Sequence, residues 1–143
     1  MYIKQISVLM ENVPGELAGI TEILSANGID IRAVTTADTA DYGILRLVVN
    51  DPDRAESALR KNGMTTSVSD VIAVAIADDI GSFGRAIGVL KDNNVSVEYM
   101  YPFIGENAAK SLVILKTNDL KRSVDLLLEK GIDVIRSGEV YGG

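Results

Sequence analysis

VPGELAGITEIL, residues 13–24, falls on DIGSFGRAIGVL, residues 79–90, when the chain is slid along itself by 66 positions, so that Gly15 meets Gly81 and Leu24 meets Leu90. The register extends both ways: Ile6 lands on Ile72, Val8 on Val74, Leu17 on Phe83, Asn27 on Asn93, Ile29 on Val95 and Ile31 on Val97. Farther on, NDPDRAESALRKNGM (50–64) matches NDLKRSVDLLLEKGI (118–132), now 68 positions apart. The two extra residues fall in the loop-like segments that correspond to each other, TADTADYG (36–43) and PFIGENAAK (102–110), where insertions are tolerated best. The 143 residues therefore read as one unit given twice, with modules over 1–70 and 71–143. Two copies are too few for a solenoid.

Hydrophobic periodicity gives each copy the same order of elements. IKQISVLM alternates, with Ile3 or Ile6, Val8 and Met10 on one face, as a half-buried strand does. Leu17, Ile20, Ile23 and Leu24 recur at helical spacing, and Asn27-Gly28 supplies residue types suited to a helix end. IDIRAVTT then predicts a strand with Ile29, Ile31 and Ala33 on one side, and ILRLVV predicts a third strand. Asn50 or Asp51 caps a second helix with Pro52 in its first turn and Ala55, Ala58 and Leu59 inward, before Asn62-Gly63 and a fourth strand, MTTSVSD. Strand, helix, strand, strand, helix, strand is the split βαβ arrangement. The expected fold is α+β: two tandem ferredoxin-like βαββαβ modules, antiparallel sheets with helices packed on one face. MTTSVSD and VIAVAIAD nearly abut, with Ser69-Asp70 as the one candidate break, so no flexible linker is expected.

Composition removes whole classes of function. A net charge of −6 and a pI near 4.6 repel phosphate backbones and anionic lipid, which argues against nucleic-acid partners. The strands ISVLM, ILRLVV, IAVAIA and SLVILK also lack the aromatics and basic cluster that RNA-binding relatives of this topology need. No run of about 18 apolar residues occurs, so no membrane span is expected and the cytoplasm is the expected compartment. With no Cys and no His there is no disulfide framework, thiol nucleophile, thiolate metal site or imidazole base. No catalytic residue, metal or cofactor is implied.

The turn ENVPGELAGI (11–20) joins the first strand to the first helix. Pro14 ends the strand without offering an amide hydrogen, and Gly15 lets a ligand come close to the backbone. The amides of Gly15, Glu16 and Leu17 belong to the first helical turn, where they lack intrahelical acceptors and the dipole favours an anion. A carboxylate fits there. Asn12 offers an amide carbonyl to an ammonium and an NH2 to a carboxylate. The combination suits reversible recognition of a zwitterion and needs no nucleophile. The alternative reading is an ordinary turn with Asn12 capping the helix.

The pattern N-x-P-G-x-L-x-x-I-x-x-x-L-x-x-x-G-I-x-I, from Asn12 to Ile31, resembles the signature of the ACT domain family, small βαββαβ regulatory modules that bind amino acids. The resemblance covers the whole chain as two copies, sharper in the first. It implies a regulatory or sensor protein without a catalytic domain, a free amino acid as ligand, a homo-oligomer such as a dimer, and a regulated enzyme as a further partner. In such families the ligand lies between one module's first turn and a neighbour's second strand. That implies Asn12, Val13, Pro14, Gly15, Glu16 and Leu17 on one side and residues 97–102, among them Tyr99, Met100 and Tyr101, on the other.

Copy two departs from the signature. DDIGSF places Asp78 where Asn12 stands and Ile80 where Pro14 stands; Gly81 and Ser82 complete its candidate site. Asp78 and Asp79 would repel a carboxylate and attract an ammonium, or serve only as a helix-capping turn. Val95, Val97, Tyr99 and Tyr101 are expected to share a face, the tyrosines lining a ligand's side-chain pocket or filling core space. Ala73, Ala75 and Ala77 form the outward face of VIAVAIAD, which fits a sheet-to-sheet contact such as a homodimer or, alternatively, an ordinary exposed face of small residues. Two other functions compete. An interaction or dimerisation module with a lost ligand site fits the same topology. An acyl-phosphate phosphatase would need an Arg in the first turn, and the nearest, Arg85, already lies inside the helix pattern.

Overall fold

A computed structural model describes residues 1–11, 13–38, 41–104 and 110–141. The elements run β1 (Ile3–Glu11), α1 (Glu16–Ala26), β2 (Ile31–Asp38), β3 (Tyr42–Val49), α2 (Pro52–Lys61) and β4 (Thr65–Ala77). They continue with α3 (Ser82–Asp92), β5 (Val97–Pro102), β6 (Lys110–Thr117), α4 (Leu120–Glu129), β7 (Asp133–Val134) and α5 (Ser137–Val140). The chain divides into two compact units. The first comprises Lys4–Ser69 with Val140–Gly143, the second Met1–Ile3 with Asp70–Glu139. The Ser69-Asp70 step, anticipated as a candidate break, keeps strand conformation inside β4.

In the first unit the strands lie in the order β2-β3-β1-β4. β1 and β3 are antiparallel, with Ile6 opposite Leu47 and Val8 opposite Leu45. These four side chains meet Ile20 and Leu24 of α1 and Ala55 and Leu59 of α2 in one buried cluster. In the second unit the order is β5-β6-β4-β7. Ile72, Val74, Val113 and Leu115 meet Ala86 and Leu90 of α3 and Val124 and Leu127 of α4. Each fully buried Leu or Ile here contributes about 1.5–3 kcal/mol of transfer free energy, which is why the apolar periodicity decides which face of each helix turns inward. Antiparallel ferredoxin-like modules with helices on one face are thus what the sequence pattern predicts and what the molecule adopts.

Small polar devices recur at equivalent positions. Asn50 Oδ1 accepts from the Asp30 amide at 2.8 Å and Asn118 Oδ1 from the Ser96 amide at 3.0 Å. The side-chain amides of Asn27, Asn62 and Asn93 donate to the carbonyl four residues earlier, at 2.7–2.8 Å. Each C-cap is followed by a left-handed residue, Gly28, Gly63 and, in the second copy of α1, Asn94 with φ 61°.

The strict alternation expected of the second strands is broken at the same place in both units. A register shift lies between Ile31 and Ala33 in β2 and between Val97 and Tyr99 in β5. Such a bulge places one extra residue in the strand and reverses the facing of everything after it. Val34 and Met100 therefore pack toward the helices, with Ile31 and Val97. Ala33 does not share the face of Ile29 and Ile31, and Tyr99 and Tyr101 do not share that of Val95 and Val97. The face of the second sheet away from its helices is buried too: Ala73, Ile114 and Tyr101 stand abreast across β4, β6 and β5, all inaccessible within one chain. The alanine face read as outward is thus covered at Ala73 and Ala75 in the single chain, and only Ala77 is exposed.

Candidate ligand-binding turns

Each unit has one strand-to-helix turn ahead of its first helix, and the two share a backbone. Gly15 and Gly81 are the N-cap residues of α1 and α3, both at φ 87° and ψ −9°. That left-handed conformation is one L side chains rarely adopt. In both, the first helical bond runs back to the glycine carbonyl at 2.9 Å, from the Gly19 and Arg85 amides. The Glu16 amide reaches the Val13 carbonyl only at 3.4 Å, and the Ser82 amide reaches that of Asp79 at 3.3 Å. The amides of Leu17 and Ala18 have no acceptor among the described residues.

The other two long helices provide an internal contrast. At α2 the Asp51 carboxylate accepts from the Arg54 amide at 3.2 Å, and at α4 the Asp119 carboxylate accepts from the Arg122 amide at 3.1 Å. At α2 and α4 a carboxylate closes the helix start; at α1 and α3 a glycine stands at the N-cap and has no side chain of its own to occupy the donors. A Cβ built on Gly15 would meet nothing within 4 Å, so the front of the first turn is open.

Of the residues singled out from the sequence, Asn12 lies outside the described residues. Val13, Pro14, Gly15 and Leu17 stand together and exposed on the first turn, with Glu16 half-buried. At the second turn Asp78 and Gly81 are exposed, while Ser82 is buried and its Oγ accepts from Arg85 Nη2 at 2.7 Å. The reading of Asp78 and Asp79 as helix caps is corrected: Gly81 is the cap, and Asp79 Oδ1 instead lies 3.4 Å from Arg85 Nη2. Tyr99 and Tyr101 stack with centroids 6.4 Å apart and an interplanar angle of 26°. Tyr101 is buried and Tyr99 half-buried, whereas Met100 turns into the core under the helices.

The sequence reading missed a cavity of about 530 Å³ in the second unit, running along α3 beside the end of β4. Its signal lay in the differences between the two copies rather than in any motif. Among the described residues no group of three or more His, Cys, Asp or Glu is placed to hold a metal ion, and no helix is long and apolar enough to cross a membrane.

The family described as ACT domain pair matches this chain over residues 1–141. The chain is a pair of ACT domains. Its repeat, its βαββαβ order and its glycine turns are those the family resemblance leads one to expect. The ACT pair is 31% identical to the crystal structure of protein BT0572 from Bacteroides thetaiotaomicron, with a TM-score of 0.92, over 100% of this chain and 98% of that one. It is 25% identical over 115 residues to the acetolactate synthase small subunit of Buchnera aphidicola subsp. Baizongia pistaciae (strain Bp), covering 80% of this chain and 72% of that protein. The fold alone is shared with the ligand-free regulatory subunit of aspartate kinase from Thermus thermophilus, at 12% identity and a TM-score of 0.63 over 88% of this chain and 90% of that one.

Proposed function

We propose that this ACT pair is a regulatory module with no catalysis of its own, which binds a free amino acid at the first turn and transmits the binding to an enzyme partner in the cytoplasm. The observation that carries the reading is the contrast in capping: Asp51 and Asp119 close α2 and α4, while behind Gly15 the amides of Leu17 and Ala18 have no acceptor among the described residues. A ligand carboxylate there gains the unpaired amides and the positive end of the helix dipole, and Asn12 reads the ammonium. Names of relatives support the regulatory half of the reading, since two of them are a synthase small subunit and a kinase regulatory subunit. Isothermal titration with each of the twenty standard amino acids tests it. Heat from at least one, lost in Gly15→Leu, is the expected result; silence from all twenty refutes it.

A different observation favours a protein contact at the second turn. Ile80 is fully exposed and Phe83 about half so, flanking Gly81. Apolar side chains held out beside a turn fit a covering partner, either a second copy or the regulated enzyme. Light scattering of the protein and of Ile80→Glu/Phe83→Glu, with and without the amino acid found above, checks this: the dimer should dissociate in the double variant. An unchanged mass excludes self-association through these residues.

A further inference from the structure

We infer that the second unit holds a cleft, distinct from the first unit's turn, that binds a small organic carboxylate with a short apolar body along α3 beside the end of β4. The duplicated unit supplies the reference for what an unspecialised copy looks like. The cavity is lined by Ala75, Ala86 and Gly88, where the first copy has Leu9, Ile20 and Glu22. Of these, Ile20 is fully buried in the first copy, and Ala86 replaces it with a much smaller side chain beside the cavity.

Charge changes in the same direction. Arg85, Lys110 and Lys130 line the cleft where the first copy has Gly19, Tyr42 and Asn62; the equivalence of Lys110 and Tyr42 follows from their pairing with Ala77 and Glu11. Three acidic positions of the first copy, Glu11, Glu16 and Glu22, are Ala77, Ser82 and Gly88 in the second. Asp92 is the one carboxylate among the lining residues. Asp92 stands where the first copy has Ala26, so the lining also gains one carboxylate; three cations against that one make the concavity locally positive in a chain of net charge −6.

The existing pairs do not fill that role. Arg85 meets Asp79 at 3.4 Å and Lys110 meets Asp133 at 2.6 Å, both at the surface, where ion pairs exchange readily with solutes. Lys130 has no acidic partner among the described residues. Ile76, Ala86, Val89 and Ile132 supply apolar wall, which a bare inorganic anion would leave wet. A carboxylate with an aliphatic tail satisfies both surfaces, and the volume lies in the range of small-molecule sites.

Nuclear magnetic resonance titration of the full chain at low ionic strength with butyrate, with its neutral isostere butyramide and with inorganic phosphate tests this. Butyrate should shift the amides of Ala86, Gly88 and Gly131 but not those of Ile20, Glu22 and Gly63. Lys130→Asn should weaken it by about 2- to 5-fold, as expected for one exposed charge pair. Ala86→Ile, which restores the first copy's side chain, should abolish it, whereas Lys91→Asn, outside the cleft, should not change it. Equal response to butyramide, equal shifts in both copies, a response to phosphate as strong as that to butyrate, or unaltered binding by both Lys130→Asn and Ala86→Ile would overturn the inference. Neither outcome bears on amino-acid binding at the first turn, which Gly15→Leu reads separately.

Discussion

Replacing Gly15 by Ala separates two roles that one residue plays. At φ 87° the new Cβ forces an L residue into the left-handed region, at a cost of about 1–2 kcal/mol. Loss of backbone freedom in the unfolded chain returns about 0.4–1 kcal/mol, so the net destabilisation lies between about 0 and 1.6 kcal/mol. For a unit of this size each kcal/mol moves the melting temperature by roughly 4–8 °C. Gly28→Ala is the control: φ is 69°, a Cβ there also meets nothing within 4 Å, and the site is at the other end of α1. Thermal unfolding should show the two variants destabilised alike. An amino acid present at about 100 times its Kd adds about 2.7 kcal/mol to a binding-competent fold. Wild type and Gly28→Ala should gain that increment in full, and Gly15→Ala should gain little, because its methyl group occupies the approach to the amides. An undiminished gain in Gly15→Ala would refute recognition at this turn. Equal loss of gain in Gly28→Ala would show that strain, not the approach, is what ligand binding feels.

The capping contrast predicts that Asp51→Ala and Asp119→Ala each cost about 1 kcal/mol in urea unfolding, while Asp79→Ala, whose carboxylate caps nothing, stays within about 0.5 kcal/mol of wild type. Leu24→Ala and Leu90→Ala empty equivalent core positions that are 0% and 1% exposed; each should cost about 2–5 kcal/mol, and hydrogen exchange should show the first loosening β1 and β3, the second β6. Asn94→Gly relieves the one left-handed residue among the described residues that is not glycine, and should raise stability by about 0.5 kcal/mol in the same urea assay.

Much of this fold was legible because it depends on signals that survive in one dimension. A slide of the chain against itself exposes the duplication, and Asp51-Pro52 or Asn27-Gly28 mark helix ends through chemistry local to two residues. What stayed hidden depends on a residue that no pattern marks. Arg32 and Glu98 sit at the two bulges, polar residues in strands that alternate polar and apolar anyway, so nothing in their identity says that the strand gains a position there. One such residue decides the face of all that follow it. Read without it, Tyr99 and Tyr101 share a face with Val97; with it, they leave the helix side and Met100 takes their place in the core. The turns divide in the same way: the glycines were visible, but that Gly81 rather than Asp78 or Asp79 caps α3 follows from a left-handed φ, which composition alone does not encode. The cleft along α3 adds the complementary case. Alignment of the copies first served to find what they share, and the positions where they differ, Ala86 for Ile20 and Lys130 for Asn62 among them, are where the second copy was freed to acquire a ligand of its own.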